Sequence, residues 1–445
     1  MAGTHVVAIV GGAVAGSEAA ALFTERGARA VVLEQGDRPY GKIEDGLPRW
    51  HEKLREKEYG RIDANLDREG VDFVPRTRVG EDLGFDALLG MGFSAIVLAN
   101  GAWRDRPLPL EGVERFVDRG LLYQNPLVHW FNHQEEPSYD GPRYELPEGA
   151  IVVGGGLASI DVVKILSLET YARALKQRGW DVDLVDLELR GIPAWCAKNG
   201  VDVEALDVTP PTLFYRRRME DMPLASAPEG ADEAQLAKVR RARIKIMRRG
   251  MERYLVRFEP LHTPRRPIVE DDRMVGLVFA RTEIVDGRVK PIEGSEREVR
   301  APLTVSSIGS VPEPLPGVPM KGELYDFADW DTGAVRDLPT VFGLGNVLTG
   351  RGNIRESRAN AQAVARGLID CLDVAPEGAE KGCVDDALAR VHDEAHGAAE
   401  RLVDRAMLGP AADVERIEAW VRARWAEIGY EGYADWIAKV RPDGG

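Results

Sequence analysis

The sequence predicts an α/β protein made of two parallel-sheet units, and three observations predict it. Val6-Val-Ala-Ile-Val-Gly-Gly-Ala-Val-Ala-Gly16 is an apolar strand, a glycine turn and the start of a helix. Ala150-Ile-Val-Val-Gly-Gly-Gly-Leu-Ala-Ser159 repeats that pattern far downstream. Two further apolar runs, Val97-Leu-Ala-Asn-Gly-Ala102 and Val305-Ser-Ser-Ile-Gly309, also end in small-residue turns, where a doubly wound sheet presents backbone to a ligand.

A strand, a glycine turn and a helix in that order hold a dinucleotide. The turn lets backbone approach a pyrophosphate, and the helix start offers unpaired N–H groups. In the first unit Gly11, Gly12 and Ala13 form the turn, and the helix begins near Val14, with Ala15 and Gly16 in its first turn. Ala13 stands where G-x-G-x-x-G has its second glycine, so a methyl group faces the closest approach of the phosphates. The next apolar run, Ala30-Val-Val-Leu33, ends in Glu34, an acid placed to accept ribose hydroxyls. The plain alternative is a βαβ unit whose glycines only permit tight helix–sheet packing.

The second signature reads G-x-G-x-x-S. Gly154, Gly156, Leu157, Ala158 and Ser159 belong to the turn, with Gly156 open to a phosphate, an amphipathic helix runs over 160–166, and Ser159 sets helix and strand slightly apart. The following strand, Thr212-Leu-Phe-Tyr215, ends in Arg216-Arg217-Arg218. Guanidinium forks pair with phosphate, so this end suits the 2′-phosphate of NADPH, where Glu34 suits a bare ribose. Three arginines capping a surface strand are the plain alternative. Two Rossmann-like dinucleotide-binding domains, their ligands facing across an interface, are the expected architecture.

In order along the chain, residues 39–49 form a loop containing Gly41. Residues 50–66 form a charged helix with Leu54, Ile62 and Leu66 inward, and 71–74 a short strand. The strand at 93–99 runs into Asn100 and Gly101. Residues 104–149, rich in proline, glycine and aromatics, cross between the units. Residues 234–255 form a strongly basic helix, with Arg240, Arg241, Lys245 and Arg248 outward and Ile244, Met247, Met251 and Leu255 inward. Residues 275–285 look like an antiparallel excursion with a turn at Asp286-Gly287. The strand near 340–344 feeds a turn with Gly345 and Asn346. Next come a turn with Gly352, Asn353 and Ile354 and a helix at 355–372. Helices at 385–407 and 414–428 follow, for packing or dimerisation.

Composition narrows the function. A chain of 445 residues carrying a net charge of −15 argues against general nucleic-acid binding and makes a concentrated basic helix a docking surface for an acidic partner. A solvated helix face is the plain alternative. No apolar run reaches a membrane span, and the N-terminus enters the first strand directly, so a cytoplasmic monomer or homodimer is expected. The three cysteines and seven histidines make no iron–sulfur or metal spacing, and no metal is expected.

With these motifs the chain resembles the adrenodoxin reductase-like ferredoxin–NADP reductases, the flavoprotein branch that includes the glutamate synthase small subunit. The similarity covers most of residues 5–370 and includes the two glycine turns, Val128-His-Trp-Phe-Asn132, Tyr215-Arg-Arg217 and the turn Thr349-Gly-Arg-Gly-Asn-Ile354. It implies FAD in the first unit, NADPH in an inserted second one, and delivery of electrons singly to a small acidic ferredoxin or flavodoxin docked on Arg241 and its neighbours. The implied organisation is an FAD domain at 1–110 and 320–375, an NADPH domain at 111–319, and a helical extension at 376–445. Asn346 stands where relatives often carry aspartate, and Tyr215 to Pro223 looks more like the glutamate synthase branch. That branch's iron–sulfur N-terminal extension is absent, which favours a stand-alone reductase. The flavin does the chemistry, so no side chain is expected to act as catalytic acid or base. The rival readings are an electron-input subunit of a larger complex, a flavin monooxygenase and a nucleotide-binding regulator.

Overall fold

The computed structural model describes residues 5–137, 139–225, 230–348 and 396–441. The expected turn at 349–354, with Gly352, Asn353 and Ile354, and the expected helix at 355–372 lie outside them.

Val6–Val10 is buried along its whole length, as its unbroken apolar run requires of a central parallel strand. It pairs with Arg29–Leu33 on one side and Ala95–Leu98 on the other. The sheet continues outward through Val71–Val74 at one end. At the other end it continues through Val341–Gly343, Ala334–Val335 and Phe327–Asp329. Alternate residues serve opposite faces: Val7 and Ile9 join one core cluster, and Val6, Ala8 and Val10 the other.

The second sheet draws its five parallel strands from between those two contributions, so the second unit is inserted in the first. Its order is Leu121–Tyr123, Thr304–Ser307, Ile151–Gly154, Thr212–Tyr215 and Arg257–Pro260. The stretch expected to be a bare crossover thus supplies an edge strand and the helix Gln124–His133. Its aromatic residues are buried there: Trp130 and Phe131 join the core of the second unit.

The antiparallel excursion is larger than its sequence suggested. Arg273–Val285 is one strand, pairing along its first part with His262–Glu270 and Arg297–Arg300 and along its end with Arg288–Pro291. The turn sits at Asp286 (φ 51°) and Gly287 (φ 72°), the two positive angles that a two-residue type I′ hairpin needs. Phe279 stacks on Phe214 with ring centroids 4.1 Å apart, joining the excursion to the second sheet.

The basic helix spans Glu233–Tyr254 and opens with a reciprocal cap. Asp232 accepts from the Gln235 N–H at 2.8 Å, and Gln235 accepts from the Asp232 N–H at 2.9 Å. Its fully buried residues are Ile246, Met247, Gly250 and Tyr254, and Met251 and Leu255 of the expected stripe are partly buried against the same core. Arg243, half-buried on this helix, donates to the carbonyls of Ala225 and Glu220.

The C-terminal residues wrap the first unit. Leu402 and Val403, in the helix at 396–406, and Trp436 and Ile437, in Tyr433–Val440, pack on one face of the sheet. Ile417 and Val421, in Val414–Ile428, pack on the other. Polar anchors fix them: Trp425 Nε1 donates to Phe73 O at 2.8 Å, Trp436 Nε1 to Asp37 O at 2.8 Å, and the Tyr433 hydroxyl to Asp63 at 2.7 Å. Trp436 is 2% exposed. Trp436→Ala is expected to destabilise the first unit by about 3–5 kcal/mol, the range for emptying a buried aromatic site. Urea unfolding followed by circular dichroism checks this, and a loss below about 1 kcal/mol would show that the extension merely rests on the sheet.

Candidate functional site

Gly11 bonds its N–H to Leu33 O and takes φ 100°. A side chain there would come within 2.7 Å of Ala99 O, and one at Gly16 within 1.8 Å of Gly11 O. The helix Val14–Glu25 therefore presses its first turn directly onto the strand end. Ala13 precedes it in extended conformation, with no side-chain cap and no acid in the first turn, so the N–H groups stay available to an anion.

The two alanines of this turn have matching glycines elsewhere. A methyl at Gly41 (φ 50°) would lie 2.9 Å from the Ala13 methyl, and one at Gly345 (φ 70°) 2.7 Å from the Ala15 methyl. The volume added at Ala13 and Ala15 is thus accommodated by glycines on two later loops.

Glu34 is nearly buried, and its two oxygens accept the N–H groups of Gly12 (2.8 Å) and Gly36 (3.0 Å). Burial raises its pKa above the usual carboxylate value, while those N–H groups pull it down. The acid expected for a ribose therefore also holds the turn in shape, with lone pairs remaining on each oxygen.

In the second unit Gly156 starts the helix Leu157–Gln177, and a side chain there would meet nothing within 4 Å. Gly154 and Gly155 are hemmed in: a methyl at Gly154 would be 2.2 Å from Ser159 Oγ, and one at Gly155 2.1 Å from the Tyr215 ring. Ser159 is wholly buried and donates its hydroxyl to Ser307 O at 2.9 Å. It therefore ties helix and neighbouring strand together. Past Tyr215, Arg218 turns away to Asp221 (2.9 Å) and Glu220 (3.3 Å). Arg216 and Arg217 remain toward the cleft, and Arg217 also donates to Gly287 O at 3.0 Å.

Both turns face one cavity of about 1230 Å³. The expected residues on its wall from the first unit are Gly11, Ala13, Ala15, Glu34, Gly41, Asn100, Gly101, Gly345 and Asn346. Those from the second are Gly154, Gly156, Leu157, Ala158, Arg216 and Arg217. Gly12 and Gly16 lie behind the turn. Arg240, Arg241, Lys245 and Arg248 are away from the cavity, exposed along the basic helix, with Arg240 paired to Glu233 at 2.5 Å. On the cavity wall Asn100 donates to the Tyr325 hydroxyl, while its buried Oδ1 has no partner among the described residues.

Between the two turns lies a polar cluster that no sequence motif announces. Lys42 Nζ lies 3.2 Å from both Asn125 Oδ1 and Ser310 Oγ, and 5.6 Å from the Trp103 ring centre. No carboxylate lies within ion-pair distance of it among the described residues. Burial lowers the Lys42 pKa to about 8 and raises that of Asp105 to about 7. These residues follow four different strands, so no local spacing links them. The histidines also need correction: His129 and His133 stand four apart on one helix beside Asp45, a grouping able to hold a metal ion.

No protein-family model matches the chain. It is similar to the glutamate synthase [NADPH] small chain of Mycobacterium tuberculosis, 26% identical over 393 residues, 82% of this chain and 67% of that protein. It is also similar to the mitochondrial NADPH:adrenodoxin oxidoreductase of Arabidopsis thaliana, 26% identical over 164 residues, 36% of this chain and 32% of that one. Among solved structures it shares its fold with Mycobacterium tuberculosis FprA in complex with NADPH, at TM-score 0.57 and 21% identity, over 89% of this chain and 90% of FprA. The resemblance and the fold class expected from the sequence both stand. Among the described residues no helix is long and apolar enough to cross a membrane.

Two outcomes follow from this geometry. Gly156→Ala should change stability by no more than about 1 kcal/mol, an ordinary effect at a helix start, yet weaken nucleotide binding at least ~10-fold by filling the approach. Thermal unfolding and equilibrium titration separate the two quantities, and unchanged affinity would remove the phosphate from this turn. The second outcome concerns Lys42, whose ordinary pKa of 10.5 falls to about 8 on folding. Between those values the unfolded chain binds more protons, so this group makes stability rise with pH there. Lys42→Met should flatten that rise when urea unfolding is compared between about pH 8 and 10.

Proposed function

We propose that the chain is an FAD-dependent NADPH oxidoreductase that passes electrons to a small acidic carrier of the ferredoxin or flavodoxin kind. The observation that carries this reading is one cavity walled by two uncapped helix starts, with an acid beside the first and two arginines beside the second. FAD is assigned to the first unit, residues 1–110 and 320–375, and NADPH to the second, residues 111–319. The buried Oδ1 of Asn100 and the open face of Gly156 fit polar ligands on the two sides.

When bound, FAD supplies the hydride-accepting and electron-releasing chemistry. The chain holds and aligns. Helix starts at Ala13 and Gly156 receive the pyrophosphates, Glu34 receives a ribose, and Arg216 and Arg217 receive the 2′-phosphate. Lys42 places a cation between the nucleotide sites. The exposed Arg240, Arg241, Lys245 and Arg248 offer a positive surface on a chain of net charge −15, which supports electrostatic steering of an acidic carrier.

Similarity to the glutamate synthase small chain favours a second reading, an electron-input subunit of a larger assembly. Sizing the protein in extracts of its host separates the two.

The test is an anaerobic visible spectrum of the purified protein, titrated with NADPH and, on a fresh sample, NADH. A flavin spectrum bleached by NADPH and barely by NADH is expected. Arg216→Ala with Arg217→Ala should weaken NADPH about 10- to 100-fold, the loss of one or two charge-assisted contacts, with NADH unaffected. Equal losses for both nucleotides would overturn the phosphate assignment. Electron transfer to an acidic ferredoxin should slow steeply with added salt, and a salt-independent rate would overturn the docking surface.

A further inference from the structure

We propose that Asp45, His129 and His133 bind a divalent transition-metal ion of the zinc class, clamping the cavity-lining loop of the first unit to the second. The site is independent of the nucleotide assignments.

The three residues come from both sides of the unit boundary. Asp45 ends the short helix Lys42–Asp45, directly after the cavity residues Gly41, Lys42 and Ile43. His129 and His133 lie on Gln124–His133, which follows the edge strand of the second sheet. Their four-residue spacing puts both rings on one helix face, the arrangement that lets a helix supply two histidines to one ion. One ligand atom from each of the three lies within 4.8 Å of the others.

The surroundings match those of a metal site. His133 Nε2 faces Asp45 Oδ1 at 2.8 Å, and Nδ1 of the same ring meets Glu136 Oε1 at 2.6 Å. A carboxylate on the far nitrogen orients a metal-binding imidazole in this way. A neutral imidazole has a single N–H, yet both His133 nitrogens face carboxylate oxygens. A proton spans the 2.8 Å gap between Nε2 and Asp45, and a metal ion that displaces it parts the two atoms to roughly 3.3 Å.

His129 Nε2 stands 3.9 Å from Asp45 Oδ1 with its side chain 47% exposed, which leaves an open side for water. Tetrahedral zinc with bonds of about 2.0–2.1 Å brings ligand atoms to roughly 3.3 Å, so His129 needs only a small rotation to close. Asn132 steadies the partners, donating to Glu44 O at 2.8 Å and Leu47 O at 2.9 Å, on either side of Asp45. Two imidazoles and one carboxylate suit zinc, cobalt or nickel and not calcium or magnesium.

The experiment uses the full-length, tag-free protein, stripped with a chelator and titrated calorimetrically with Zn²⁺, Co²⁺ and Mg²⁺. One equivalent of Zn²⁺ or Co²⁺ is expected to bind and raise the thermal midpoint, with no response to Mg²⁺. His129→Ala removes a half-exposed side chain, so it should leave the metal-free midpoint unchanged while weakening zinc at least ~10-fold. Glu136→Gln should weaken it about 10- to 100-fold. The absence of a one-equivalent site, or an affinity that His129→Ala does not move, would overturn the proposal and leave a proton between His133 and Asp45.

Discussion

The cleft depends on backbone N–H groups that its two helices leave unpaired. Each α-helix starts with donors that have no partner inside the helix. At Ala13 and Gly156 no side chain caps them. An anion can therefore complete both helices, provided that the turns are narrow enough to admit it. That condition explains why bulk is excluded at Gly11, Gly16 and Gly154. It also explains why Ala13 and Ala15 face glycines on other loops. The local sequence alone makes Ala13 look like a defect, but its methyl has been given room by Gly41.

The two halves of the cleft share this backbone plan and differ in charge. Glu34 and the pair Arg216 and Arg217 follow corresponding strands. One side thus presents carboxylate oxygens and the other guanidinium groups to whatever lies at the helix start. Arg218, next in sequence, is committed to Asp221 and Glu220. The first two arginines of the run are accordingly the ones that line the cavity.

Between the halves, the segment Gly41 to Leu47 belongs to the first unit but also makes polar contacts with the second. Lys42 reaches Asn125 and Ser310, Asp45 reaches His133, and the carbonyls of Glu44 and Leu47 receive Asn132. These bonds couple the walls of the cavity, so the relative setting of the units is built into the site. The C-terminal helices brace the same region from outside through Trp436 to Asp37 and Arg441 to Tyr40.

Sequence by itself determined what depends on local periodicity and backbone sterics. A short, β-branched apolar run reads as a buried strand, and glycine after it marks a close turn. A Glu or Arg run at the next strand end sets the local charge. The hairpin at Asp286-Gly287 belongs to the same class, since both residues accept positive φ. Only the tertiary structure decided what depends on residues distant along the chain. The burial of Lys42, the grouping of Asp45 with His129 and His133, and the fit of Ala13 to Gly41 each join separate segments. The bonds of Arg243 on the basic helix to the carbonyls of Glu220 and Ala225 likewise join separate segments. Sequence periodicity describes one element at a time, whereas these features arise where elements from two sheets meet.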